Sequence, residues 1–132
     1  DPISSFWRIV AFLYEGKHIQ HGHDLIIEDA TSVRVLAKKD ETVERTWEEP
    51  KRLLFLRLAK AHGLYLEYYQ RQFRGQGLAL GTLEHYLFTN PAYIGSSKGK
   101  KFGTTTLRCL VFDLSKIPVQ FRSELPDEAD TF

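Results

Sequence analysis

The stretch "RGQGLALGTLEHYLFTNPAYIGSSKGKKFGTTTLRCLVFDL", Arg74 to Leu114, decides the fold. It opens on a glycine-rich turn, "RGQGLAL". Leu80, Leu83 and Leu87 then recur at helical spacing and predict a helix with one buried stripe. That helix has to stop near Asn90, because Pro91 disfavours helical geometry in the residue before it. Two β-prone runs follow, at residues 92–95 and 104–113, and between them lies a glycine-flanked tip holding Lys98, Lys100 and Lys101. A tip chosen only for turning needs a single Asn-Gly or Gly-Gly pair. This one is longer and positively charged.

Upstream, "RLLFLRLAKAHGLYLEYYQRQF" admits two readings, one long helix or a buried strand over residues 52–58 with a helix starting near Ala59. Pro50 suits a strand entry and the Leu-Leu-Phe-Leu run has no polar face, which favours the second. From there Ala61, Leu64, Tyr65 and Tyr68 follow the helical period. At the start of the chain, Phe6, Ile9, Val10 and Leu13 predict another helix, with Asp1 or Ser4 as its cap and Gly16 as its stop. Between these helices, residues 25–28 and 32–37 read as two short strands around a polar turn at Asp29–Thr31. "KDETVERTWEEPK" reads as an exposed loop, extended around Val43–Trp47.

The resulting order is helix, inserted hairpin, strand, helix, tight turn, helix, charged hairpin. It predicts an α+β fold, a winged helix-turn-helix with an extra N-terminal β-hairpin insertion. The core covers about residues 52–114, the hairpin and loop insertion 18–51, and an acidic tail 122–132. The lysine tip is then the wing, beside the second helix of the turn, so that both lie along one nucleic-acid backbone.

The stretch from Leu56 to Leu114 also resembles the C-terminal winged-helix region of primase–helicase-type replication proteins of bacterial mobile elements and prophages, notably in Bacteroidetes. The similar features are a "YL..Y" helix, a turn into "TLE.YL", "P.YIGS" at a strand entry, a basic wing and "CLVFDL" as the returning strand. The resemblance covers roughly residues 52–114, less than half of the chain. It implies an accessory module behind a motor, contacting DNA, as duplex or fork, or the remainder of a parent helicase or primase chain. One departure stands out. Outside its leucine stripe the second helix shows Gly81, Thr82, Glu84, His85, Tyr86 and Thr89, with no Arg, Lys, Asn or Gln to pair bidentately with a base edge.

Charge is segregated along the chain. Residues 71–108 hold Arg71, Arg74, Lys98, Lys100, Lys101 and Arg108 against Glu84 alone, while the remainder is net acidic and the last ten residues hold four acids and no base. A basic segment in a nearly neutral chain of net charge +1 suggests a local polyanion contact. The expected nucleic-acid-binding set is therefore those six cations for phosphates, with Thr82, His85 and Tyr86 facing the groove.

The 132 residues suffice for one domain with its own core. No run approaches the ~20 apolar residues of a membrane span, and the start lacks the pattern of a signal peptide. A lone cysteine suits a reducing cytoplasm. The absence of methionine, even at position 1, reads as a domain taken from a longer polypeptide.

Catalytic and cofactor patterns are weak. "GSSKGKK" has three residues between its glycines where a Walker A loop needs four, and "GQGLALG" has Leu80 where a dinucleotide fingerprint needs its third glycine. His18, His21 and His23 are crowded enough to share a metal, but no second cluster completes a set, so they read as loop histidines. Cys109 could be paired with His62 or His85 as a nucleophile, yet "LRCLVF" reads as a buried strand in which a thiol is inert packing. Tyr65, Tyr68, Tyr69 and Phe73 could stack bases, but at helical spacing they read more often as core and rim, and Trp7 reads as core. Trp47 stands amid charges and reads as a contact with the rest of a parent chain. The expectation is a non-catalytic domain that holds no metal and no cofactor.

Overall fold

The computed structural model describes residues 2–37, 41–122 and 125. Asp1, most of the acidic tail and residues 38–40 lie outside the described residues. The chain forms α1 (Pro2–Glu15), β1 (Leu25–Leu36), β2 (Thr42–Leu56), α2 (Leu58–Phe73), α3 (Leu80–Phe88), β3 (Tyr93–Phe102) and β4 (Thr105–Asp113), closed by a short 3-10 turn at Leu114–Lys116. It is an α+β protein with one antiparallel sheet in the order β1-β2-β4-β3.

The helices form where apolar residues repeat every three to four positions. In α1, Phe6, Ile9, Val10 and Leu13 are buried as their spacing requires, together with Ile3 and Trp7. Ser4 lies inside this helix and not ahead of it. The chain leaves the helix one residue before Gly16, and the left-handed position is Lys17, with φ of 63°. In α2, Ala61, His62 and Tyr65 face the core. In α3, Leu83 and Leu87 are buried, whereas Leu80, expected in the same stripe, is exposed in the helix's first turn.

The choice at residues 52–58 falls to a strand: β2 ends at Leu56 and α2 starts at Leu58. The reason is that both faces of the sheet are covered here. Leu54 and Leu56 enter the main core against the helices, and Leu53 and Phe55 enter a second core on the opposite face. A strand buried on both sides has no place for a polar face. The main core centres on edge-to-face rings, with Phe6 5.2 Å from both Trp7 and Tyr65, and Trp7 5.0 Å from Phe112.

The second core is what sequence periodicity does not announce. It contains Val35, Leu53, Phe55, Phe102, Cys109 and Val111. The polar residues 29–31 do not turn the chain, as their composition suggests, but lie within a continuous β1. Asp29 Oδ1 accepts from Arg52 Nε at 2.9 Å. The irregularity lies across the ladder: Ala30 pairs with Lys51 but Ser32 with Thr46, so β2 accommodates extra residues around Trp47–Pro50. Pro50 therefore sits where the ladder is broken and its missing N–H costs nothing. Trp47 is half-buried against this second core, with Lys51 Nζ 5.7 Å from its ring centre.

Candidate nucleic-acid interface

The β3–β4 hairpin differs from the expected wing in where it turns. The lysines are not a tip. They lie within β3, whose pairing with β4 continues to Phe102 opposite Thr105. The turn is only Gly103–Thr104, with Gly103 at φ of 66°, the pattern of a type II′ hairpin in which glycine takes the first central position. The lysine segment instead holds a β-bulge. Ser97 pairs with Cys109 and Lys100 with Leu107, so Lys98 and Gly99 together face Arg108.

Alternation along the strands then sorts the cations. On β4, Phe112 and Leu110 enter the main core, and Cys109 and Val111 enter the second. Arg108 and Thr106 therefore continue the helix-bearing face of the sheet beyond the core's edge. Lys101 pairs with Thr106 and shares that face, and the bulged Lys98 lies opposite Arg108. All three cations are exposed.

Lys100, counted with them from the sequence, points the other way. Its ammonium pairs with Glu28 of β1 and lies 4.1 Å from the centre of the Phe55 ring. It closes the second core and is not free to meet a phosphate. Its charge also reaches Cys109. Burial pushes that thiol up to about 11, while Lys100 and a hydrogen bond to Ser97 pull in the opposite direction. A thiol so protonated at neutral pH is packing and not a nucleophile.

The α2–α3 connection is fixed by a clamp on one residue. Leu78 donates its N–H to the Tyr65 hydroxyl at 2.9 Å, and its carbonyl lies 2.7 Å from His62 Nε2, whose N–H it accepts. His62 is thus committed to the backbone and does not serve Cys109. Gly77 is required beside it, since a Cβ there would come within 2.9 Å of the Tyr65 ring and hydroxyl. At the other end of α3, the Asn90 carboxamide oxygen accepts from Ala92 N at 2.9 Å, and Asp113 N donates to Ala92 O at 2.8 Å. These bonds set the helix against the sheet.

On α3, Thr82, His85 and Tyr86 are all on the exposed side, as their spacing from Leu83 and Leu87 requires. Thr89 does not join them as a free hydroxyl, because it back-bonds to the His85 carbonyl at 3.0 Å. Arg71 and Arg74 are exposed at the C-terminal end of α2, with Arg74 in the left-handed conformation at φ of 51°. The expected set is therefore divided among three places: the helix-bearing face of the hairpin, the outer side of α3 and the end of α2.

The histidines of the first loop take structural roles where they bond. His21 Nε2 accepts from Ile27 N at 3.1 Å, and Asp24 Oδ2 accepts from Gln20 N at 2.8 Å. Among the described residues no three histidine, cysteine or acidic side chains come together to hold a metal ion. No helix among them is long and apolar enough to cross a membrane. Compared with protein-family models, curated proteins and solved structures, the chain matches none.

Proposed function

We propose that the chain is a winged-helix module that grips the phosphate backbone of DNA, as an accessory domain of a primase- or helicase-type replication protein. The observation that carries this reading is the sharing of one hairpin face by Lys98, Lys101 and Arg108. The bulge sets Lys98 beside Arg108, with Lys101 further along the same face, so the three cations line one strip that suits contact with phosphates. The order of elements supports the fold name: a strand, two helices and a hairpin, with β2 pairing to β4 and β4 to β3. The parent replication protein rests on the resemblance of residues 52–114 alone.

Sequence reading is weak in this account. The outer side of α3 offers Thr82, His85 and Tyr86, which make single hydrogen bonds and van der Waals contacts but no bidentate pair. Discrimination between duplexes should stay below about a hundredfold, short of the ~10³ at which typical specific binders begin. Selection from random duplexes at fixed salt tests this. Retention of duplex without a consensus is the expected result. A single sharp motif would indicate a transcriptional regulator, and failure to retain any duplex would remove the nucleic-acid reading.

One observation favours a second reading. Leu80 and Phe88, on one side of α3, are exposed large apolar side chains on a helix without a single Lys or Arg. Such a surface suits docking on the parent chain, a contact that added salt would not weaken steeply.

A further inference from the structure

The groove between α1 and the end of α2 lies outside the hairpin and α3. It is a shallow depression of about 360 Å³ lined by Ser5, Arg8, Ile9, Phe12, Tyr68 and Phe73. Phe12 and Phe73 are 57% and 58% exposed, the two most exposed large hydrophobic side chains among the described residues. Phe12 and Tyr68 touch across the groove at 5.4 Å between ring centres, and Phe73 is braced by Tyr69 at 4.9 Å. The rings are thus held by their neighbours, yet much of their surface meets water.

The one charged side chain in the lining is a cation, Arg8, and exposed Arg74 follows Phe73 at the end of α2. Glu67 and Arg71 are both exposed on α2, but about 100° per residue carries this pair, four residues apart, to the side of the helix away from Phe73. Glu15, further along α1, is paired with Arg122 at 3.5 Å.

From this we propose a second binding surface, for single-stranded nucleic acid, in which Phe12, Tyr68 and Phe73 stack unpaired bases while Arg8 and Arg74 attract the phosphates. Aromatic platforms edged by cations bind single strands in this way with little regard to sequence. An acidic peptide has complementary charge as well. It would anchor an apolar side chain in a deep, desolvated pocket, and this depression is shallow and floored only by Ile9. Flat bases fit it better. Duplex binding at the hairpin would leave this surface free, and the two sites are separable by mutation.

The test uses oligothymidine, a mixed-sequence duplex and an acidic peptide with one phenylalanine as probes. Phe73→Trp places an indole on the surface, and its fluorescence should be quenched by oligothymidine as bases stack. The double variant F12A/F73A should lose roughly tenfold or more in oligothymidine affinity, with duplex affinity and melting temperature unchanged. Replacing Lys98, Lys101 and Arg108 should do the converse, so failure at one site is distinguishable from failure at the other. Oligothymidine binding undiminished in F12A/F73A overturns the proposal. Quenching of the introduced tryptophan by the acidic peptide and not by oligothymidine overturns it in favour of a peptide-docking groove.

Discussion

Gly95 of β3 faces Val35 of β1 so closely that a Cβ on the glycine would lie 2.6 Å from the valine Cβ. The two strands are at opposite ends of the sheet order, β1-β2-β4-β3, so this contact brings the sheet's edges together over the second core. No rotamer change relieves the overlap, because the obstructing atom is fixed to the backbone. Gly95→Ala should therefore cost roughly 1–3 kcal/mol, the usual range for overpacking a core. Val35→Gly removes that Cβ, so its own cost should be smaller in the Gly95→Ala chain than in the parent. Denaturant melts of the two single variants and the double variant measure the coupling, and a G95A protein as stable as the parent would mean that the edges do not meet.

The sorting of the lysines gives a prediction that separates structure from binding. Lys100 holds Glu28 and covers Phe55, so Lys100→Ala should lower stability by about 1 kcal/mol, combining a partly exposed ion pair with a cation–π contact. It should leave affinity for DNA nearly unchanged. Lys101→Ala, one residue on, should do the opposite. A Lys100→Ala protein that melts normally and binds DNA poorly would show that the lysine is directed outward in solution.

Cys109 is a packing residue of the second core. Cys109→Ser shrinks the side chain and puts a hydroxyl beside Ser97, which already bonds the thiol, so the cost should be about 1 kcal/mol, the low end for a buried polar group. With the thiol pushed up to about 11, labelling of the folded protein by a thiol reagent at pH 8 should be slow and should accelerate on unfolding. Rapid labelling of the native protein would contradict its burial.

Asp113 links acid stability to the sheet's centre. Burial alone would raise its carboxyl, but the Ser115 hydroxyl at 2.7 Å and Lys51 Nζ at 3.1 Å outweigh that and hold it below the ordinary value. A depressed carboxyl stabilises the fold above its unfolded pKa, near ~3.9, and that contribution is lost as pH falls through the folded value. Asp113→Asn should thus be less stable than the parent at pH 6, and the gap should narrow below about pH 4. Melts across that range read it directly. A gap independent of pH would assign the effect to packing alone.

Helices α1, α2 and α3 were legible because each packs one face against a single core, which is what a 3.6-residue period encodes. The strand at residues 53–56 was legible for the opposite reason, having no polar face at all. The second core was not. Val35, Phe102 and Cys109 become core only when β1 bends back towards β3, a contact between residues distant in sequence that no local pattern carries. The same event decides the candidate site. Lys98, Lys100 and Lys101 look alike in "SSKGKKFG", and only the bulge opposite Arg108 and the approach of Glu28 turn Lys100 inward. The α2–α3 clamp was likewise hidden, because His62 and Tyr65 read as ordinary helix residues until Leu78 folds beneath them. Tyr68 at the rim was foreseen, whereas the exposure of Phe73 follows from its place at the helix's last position.

The most direct measurement for the central claim is the salt dependence of binding to a mixed-sequence duplex. Each phosphate neutralised by a cation releases counterions, contributing about 0.9 to the slope of log K against log salt. Replacing Lys98, Lys101 and Arg108 together with alanine should flatten that slope by up to about 2.7, without changing the melting temperature, and Lys100→Ala should leave it unaltered. A triple variant that binds as tightly as the parent at low salt, with the same slope, would contradict the claim that this face of the hairpin holds the DNA backbone.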